Sequence, residues 1–200
     1  MAESAPRQRL LETAADLFYR DGFRAIGVDT LCAASGVGKM TLYRHFPGKD
    51  DLIVAYLEES DRGFWRWFEA VTAAADGPAD KILAFFRALE GLIAQPACHG
   101  CPFLNAAVDF PDQAHPGHQA ALAHKNAVRS RLRELAEAAG YTEPAKLADQ
   151  LFLLMDGAFM AVRLFGADNP AAHVAAAAQS LLSPNLTVDD SHRLIAHRTP

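Results

Sequence analysis

Three cysteines among 200 residues cannot form the framework that staples a small secreted domain. Nothing in Met1–Leu10 resembles a signal peptide, because the segment is polar and carries Pro6, Arg7 and Arg9. The cytoplasm is the expected compartment. No apolar run approaches the roughly 20 residues that cross a bilayer; the run Leu151–Met155 is broken by Asp156, and no membrane partner is expected. β-Branched aliphatics are scarce: nine Val and five Ile stand against 39 Ala and 23 Leu, so an all-α fold is expected. Positive charge is not in excess either. Nineteen basic and 24 acidic residues leave a net charge of -5, which excludes a uniformly basic nucleic-acid binder but not a local one.

What is present is a globular composition. Half of the residues are hydrophobic and 22% are charged, enough for a sizeable core without disulfides. The charge is unevenly placed. Residues 1–50 hold seven Lys/Arg and six Asp/Glu, a balance of +1, and residues 51–200 hold twelve and eighteen, a balance of -6.

Gly and Pro fall between segments whose apolar residues recur at three and four, which predicts about nine helices. They are expected over 6–20, 28–34, 38–45, 49–75, 79–94, 102–109, 117–139, 143–165 and 170–182. Gly22 and Gly36 supply turn residues, and Thr142 and Asn169 are candidate N-caps, the latter followed by Pro170. No internal repeat is visible, and periodicity is lost after Pro184. The expected organisation is a helix-turn-helix unit over 1–50, a helical domain over 51–184 and a loosely held tail over 185–200.

The second and third helices are separated only by Ser35-Gly36-Val37. Two short helices joined at a Gly let the second project into the DNA major groove while the first braces it. Leu31, Val37 and Leu42 are the packing positions, which leaves Lys39, Met40, Thr41, Tyr43, Arg44 and His45 outside, joined by Lys49. Such a face offers donors to phosphates and side chains to base edges. The same layout occurs in bundles that touch no DNA, so spacing alone leaves both readings open.

The residues go further. From Gly22 to Leu52 the chain reads GFRAIGVDTLCAASGVGKMTLYRHFPGKDDL, an ungapped stretch that closely resembles the DNA-binding domain of the TetR family of bacterial transcriptional regulators. The resemblance implies that Thr41, Tyr43 and Lys49 hold phosphates, with His45 where a Tyr or His often does the same. It puts Lys39, Met40 and Arg44 at the variable positions that face bases, and Thr30 in the supporting helix as a weaker contact. Three residues depart from the pattern. Gly27 stands where a capping Ser or Thr is usual, Cys32 where a small Ala is usual, and Gly38 where Ser or Ala is more common.

For the remainder, the resemblance implies a homodimer built on the eighth and ninth helices. The sequence supports this independently. Leu147, Leu151, Leu154, Ala158, Ala161 and Phe165 form one stripe of the eighth helix and Phe152, Met155, Phe159 and Val162 another, more circumference than one monomer core needs. A central buried helix in a monomer is the competing reading. Interface candidates are Leu151, Leu154, Ala158, Val162 and Phe165, with Val174, Ala178 and Leu181 from the ninth helix, where small residues at 175–178 permit close approach.

Aromatics gather on the fourth to eighth helices, and core packing accounts for most of them. The resemblance implies that hydrophobic small molecules bind in the space these helices enclose. Trp65, Phe68, Phe86, Phe103 and Phe159 are candidate walls, and Asn105, Gln150, Asp156 and Arg163 are candidate orienting groups. Asp156 and Arg163 lie seven residues apart, so they pair only with extended side chains or across a dimer; an ion pair or a helix edge reaching water explains them as well as a ligand does.

Cys98-x-x-Cys101 followed by His115-x-x-His118 approaches a Cys2His2 zinc spacing, though the histidine pair is short and filled by Pro116-Gly117. A redox cysteine pair is a second reading. The third is simpler: Gly100–Ala106 resembles the start of the sixth helix in TetR relatives that need no metal. No cofactor is expected, and no Ser, His or Asp set shows the spacing of a catalytic constellation. The functional expectation is a homodimeric, ligand-responsive regulator, a repressor that binds palindromic double-stranded operator DNA and is released by a small hydrophobic effector. A metal- or thiol-sensing regulator on the same scaffold is the alternative.

Overall fold

The computed structural model describes residues 4–166 and 168–183. The expected tail over 185–200 lies outside them. Among the described residues there are nine α-helices, one 3-10 turn and no strand.

Helix α1 (Ala5–Asp21) opens with Pro6 in its first turn, buries Leu10, Leu11, Ala14 and Phe18, and closes where the N–H of Gly22 meets the Phe18 carbonyl. Helices α2 (Val28–Ser35) and α3 (Lys39–His45) pack against it through Leu31, Val37 and Leu42. Between them Gly36 sits at φ 64°, ψ 23°, the left-handed region, where a Cβ costs about 1–2 kcal/mol. Ser35 tightens the turn by donating to the Leu31 carbonyl at 2.6 Å and accepting from the Val37 N–H at 3.3 Å.

Helix α4 (Lys49–Thr72) starts immediately afterwards. Its first turn is acidic, which suits the positive end of a helix dipole, and the Asp51 carboxylate accepts from the Gly48 N–H at 2.7 Å. It ends three residues short of the expected position, in a turn that leads into Pro78. Helices α5 (Pro78–Ile93), α6 (Pro102–Asp109), α7 (Pro116–Ala138) and α8 (Pro144–Phe165) all have Pro in the first turn. Glu143 rather than Thr142 is the N-cap of α8. The ninth expected helix divides into a 3-10 turn (Pro170–His173) and α9 (Val174–Leu182). Asn169 caps that turn, accepting from the Ala171 N–H at 2.9 Å.

Helix α4 runs from the three-helix unit into a bundle, lying against α5 and α7, while α9 covers α5 and α8. A continuous core links the two parts: Phe18 meets Tyr56 edge to face, Phe23 packs tilted against both, and Phe64, Phe68, Phe85 and Phe86 continue the aromatic column. Each such buried ring contributes on the order of 2–3 kcal/mol.

Candidate nucleic-acid interface and ligand cavity

With Leu42 turned inward, α3 presents its other residues outward. Met40 is 85% and Tyr43 46% exposed, and Lys39, Arg44 and, from α2, Thr30 are exposed as well. Thr41 and His45 are half-buried, His45 within 3.3 Å of the Ser4 hydroxyl. Two cations are already engaged. Lys39 pairs with Asp29 of α2 at 2.5 Å, and that bond holds its ammonium above the usual lysine range. Lys49 donates to the Phe23 carbonyl at 2.6 Å, and burial pushes its ammonium down. Lys49 therefore braces the turn between α1 and α2, with two of its three donors left for a phosphate.

A cavity of about 420 Å³ lies between α1, α4, α6, α7 and α8, lined by aromatic and apolar groups that include Phe64, Trp67, Phe103, Met155 and Phe159. Phe103 and Phe159 are the wall candidates that line it. Phe68 and Phe86 belong to the solid core, and Trp65 turns its indole N–H to Asp61 at 3.0 Å. The four orienting candidates lie elsewhere. Gln150 borders a separate pocket of about 190 Å³ beside Tyr141; Asn105 and Arg163 both donate to the His99 carbonyl. Asp156 stands behind the wall, paired at 2.5 Å with Lys125 rather than with Arg163. Burial raises the Asp156 carboxyl against the pull of that lysine.

The polar groups that do reach the cavity come from positions periodicity did not single out. Tyr19 of α1 donates to the Gly100 carbonyl at 2.9 Å and accepts from the His99 N–H at 3.0 Å. Asp16 of α1, Tyr56 and Ser60 of α4 and Lys125 of α7 line it as well, with His124. The His124 side chain is only 3% exposed. Its ring stacks on Phe103 at 3.5 Å, meets the edge of Phe64 at 4.8 Å and places Nδ1 2.6 Å from the Asp61 carboxylate. Burial pushes the imidazole down to about 4, with Asp61 opposing, so the ring is neutral at pH 7. The signal for it was there: His124 shares one face of α7 with Ala121, Val128, Leu132 and Leu135, a core position for a residue seldom buried.

Helix α6 joins this cavity to the reading unit at both ends. Beside its start, Gly100 and His99 hold Tyr19. At its last residue the Asp109 carboxylate accepts from the Phe23 N–H at 2.8 Å and the Arg24 N–H at 3.4 Å.

The structure does not bring the zinc candidates together: among the described residues no three His, Cys, Asp or Glu side chains are grouped to hold a metal. His115 is stacked on Phe110 at 3.9 Å and caps α7 by accepting from the Gly117 N–H, while His118 meets the Phe110 carbonyl at 2.8 Å. A Cβ on Gly117 would lie 3.0 Å from the Phe110 ring, so the stacked rings would have to give by a few tenths of an ångström to admit one. Cys101 is buried, which raises its thiol pKa, and Cys98 lies 3.8 Å from the Tyr19 hydroxyl.

On the outer side of α8, Leu153 and Leu164 are each 69% exposed and Phe165 62%. A groove of about 290 Å³ between α8 and α9 is lined by Leu153, Leu154, Ala158 and Val174 among others. Of the interface candidates, Leu154, Ala158, Val174 and Phe165 thus border this face and Leu181 is half-buried; Leu151, Val162 and Ala178 point into the monomer core.

A three-helix unit continued by a long helix into an all-helical domain with a cavity between its helices defines a helix-turn-helix transcriptional regulator. Known proteins agree. A family model described as bacterial regulatory proteins, tetR family, matches residues 10–56, and one described as tetracyclin repressor-like, C-terminal domain, matches residues 78–178. The chain belongs to the TetR family. The crystal structure of SCO4454, a TetR-family transcriptional regulator from Streptomyces coelicolor, is 36% identical with a TM-score of 0.84, covering 88% of this chain and 94% of that one. A TetR-type regulator from Streptomyces avermitilis is 38% identical with a TM-score of 0.80, covering 90% and 97%. The HTH-type transcriptional regulator YjdC of Escherichia coli is 29% identical over 135 residues, 66% of this chain and 71% of that protein. No helix among the described residues is long and apolar enough to cross a membrane.

Proposed function

We propose that the protein is a cytoplasmic, homodimeric repressor that holds a palindromic operator with residues 1–50 and releases it when a small hydrophobic effector enters the domain over 51–184. In this reading Thr30, Lys39, Met40, Thr41, Tyr43, Arg44, His45 and Lys49 meet the DNA. The apolar face carrying Leu153, Leu164 and Phe165 joins two copies, which sets the separation of two reading helices on paired half-sites. The observation that carries the ligand response is the placement of the cavity. Its wall includes Cys101, Pro102 and Phe103, and α6 is tied at one end to Tyr19 and at the other to Phe23 and Arg24. Helix α4 adds a second route, since it lines the same cavity with Tyr56, Ser60 and Phe64 and begins beside α3.

An effector shifts the equilibrium only if it binds the DNA-incompetent arrangement better. A ligand that displaces the start of α6 strains the Asp109 contacts at its far end, which supplies such a difference. The test is binding of the full chain to DNA from its own upstream region, measured by fluorescence anisotropy across a salt series. Saturable binding that weakens steeply with salt supports the reading; salt-insensitive or absent binding overturns it. Asp109→Ala should keep operator binding and reduce effector-driven release at least fivefold. Unchanged release would remove α6 from the route.

A further inference from the structure

His124 offers a recognition element that neither the reading helix nor the dimer face uses. Its Nδ1 is committed to Asp61, which is itself held by the Trp65 indole N–H. The proton therefore sits on Nδ1, and Nε2 is left as a bare acceptor. No hydrogen bond from the protein reaches Nε2, yet among the described residues no buried side-chain nitrogen or oxygen lacks a partner. Nε2 therefore opens onto free space. His124 lines both the 420 Å³ cavity and a smaller one of about 360 Å³; Asp61 borders only the smaller, so the side of the ring turned away from Asp61 is the one that fits the larger cavity.

Two further features limit what this acceptor can meet. Aromatic rings surround it: Phe103 is stacked on the imidazole, Phe64 presents its edge, and Trp67 and Phe159 continue the wall. The charges that reach the cavity are balanced: Lys125 is paired with Asp156, and Asp16 with Arg20. An ionised ligand would have to break one of these pairs or enter an apolar space uncompensated.

We infer that the cavity takes an uncharged aromatic alcohol, a phenol-type molecule of two or three rings whose hydroxyl donates to Nε2 of His124. The inference rests on reading this cavity as the effector site. The size agrees, since sites of about 300–1,000 Å³ enclose small organic ligands. An acceptor fixed by a carboxylate and closed between two rings discriminates by cost: a ligand without a donor leaves Nε2 buried and unpaired.

Three probes of one ring system separate the terms: 2-naphthol, its methyl ether 2-methoxynaphthalene, and 2-naphthoate. Binding to the full chain is measured by calorimetry at pH 7.5 without DNA, so the result does not depend on whether the protein regulates anything. The expected order is 2-naphthol tightest, by tenfold or more over the ether. His124→Phe keeps the ring stack and should shrink that preference to less than about threefold, with the ether unchanged. Should that variant fail to fold, Asp61→Asn serves instead: it removes the carboxylate that fixes the tautomer, and the preference should fall similarly. Equal binding of naphthol and ether, tightest binding by naphthoate, or no binding of any probe overturns the proposal. If naphthol binds as expected but operator binding is unaffected, the ligand inference stands and the repressor reading fails.

Discussion

Replacing His124 with phenylalanine should make the protein more resistant to acid. In the unfolded chain the imidazole titrates near 6.5, whereas burial lowers it to about 4 in the folded protein. The unfolded state therefore takes up a proton as the pH falls below 6.5, and the folded state does not follow until about pH 4. Stability is fully present above pH 6.5 and is lost as the pH drops towards the folded value. At pH 5 the loss from this residue is about 2 kcal/mol, and it levels off near 3 kcal/mol below pH 4. Urea unfolding at pH 7.5 and pH 5.0, at one fixed protein concentration so that any contribution from association is held constant, gives the assay. The wild type should lose about 2 kcal/mol more than His124→Phe over that interval. The variant also lacks the bond to Asp61, but that cost is present at both pH values and cancels in the difference. Equal losses in the two proteins would refute a neutral, buried His124.

Three further outcomes follow from other parts of the molecule. Gly36→Ala should cost about 1 kcal/mol in thermal unfolding, since the left-handed backbone opposes a Cβ, whereas Gly38→Ala, at φ -68° with open space beside it, should be neutral or slightly stabilising. Arg44→Ala should weaken operator binding by ten- to a hundredfold and relax sequence preference at one operator position, measured by anisotropy on single-base operator variants. Leu153→Glu combined with Leu164→Glu should shift the mass measured by light scattering from dimer to monomer without loss of helical circular dichroism; a persistent dimer would place the interface elsewhere.

The helices and the reading turn were legible because their determinants are local. Gly36 needs only its own backbone, and the apolar spacing of Leu31, Val37 and Leu42 lies within twelve residues. The cavity was less legible because it is assembled across the chain. Tyr19 sits on a helix assigned to DNA binding, and it meets residues 80 positions away. The sequence leaves the partner of Asp156 open, with Arg163 two turns along its own helix; Lys125 of α7 reaches it instead, since antiparallel packing of two helices is invisible to the periodicity of either. Helix α8 posed the opposite difficulty. Its apolar residues cover most of the circumference, so pattern alone could not say that Leu151 and Val162 face inward while Leu153 and Leu164 face out. Likewise, histidines at a zinc-like spacing turned out to serve a helix start and a carbonyl, roles set by Phe110 folding back between them.

If α3 reads DNA as proposed, the Lys39–Asp29 pair on its outer face bears on how the protein searches a chromosome. A free lysine that reaches a phosphate expels a condensed cation from the DNA, and that release drives sequence-independent attachment. Lys39 arrives already matched to a carboxylate, so engaging DNA leaves Asp29 to recruit a cation from solution and cancels much of the gain. The slope of affinity against salt should therefore be shallower by roughly one ion per reading helix than the number of cations at the surface implies. Random sequence would hold the protein less firmly, and residence would depend more on sites where Lys39 finds a base edge worth the exchange.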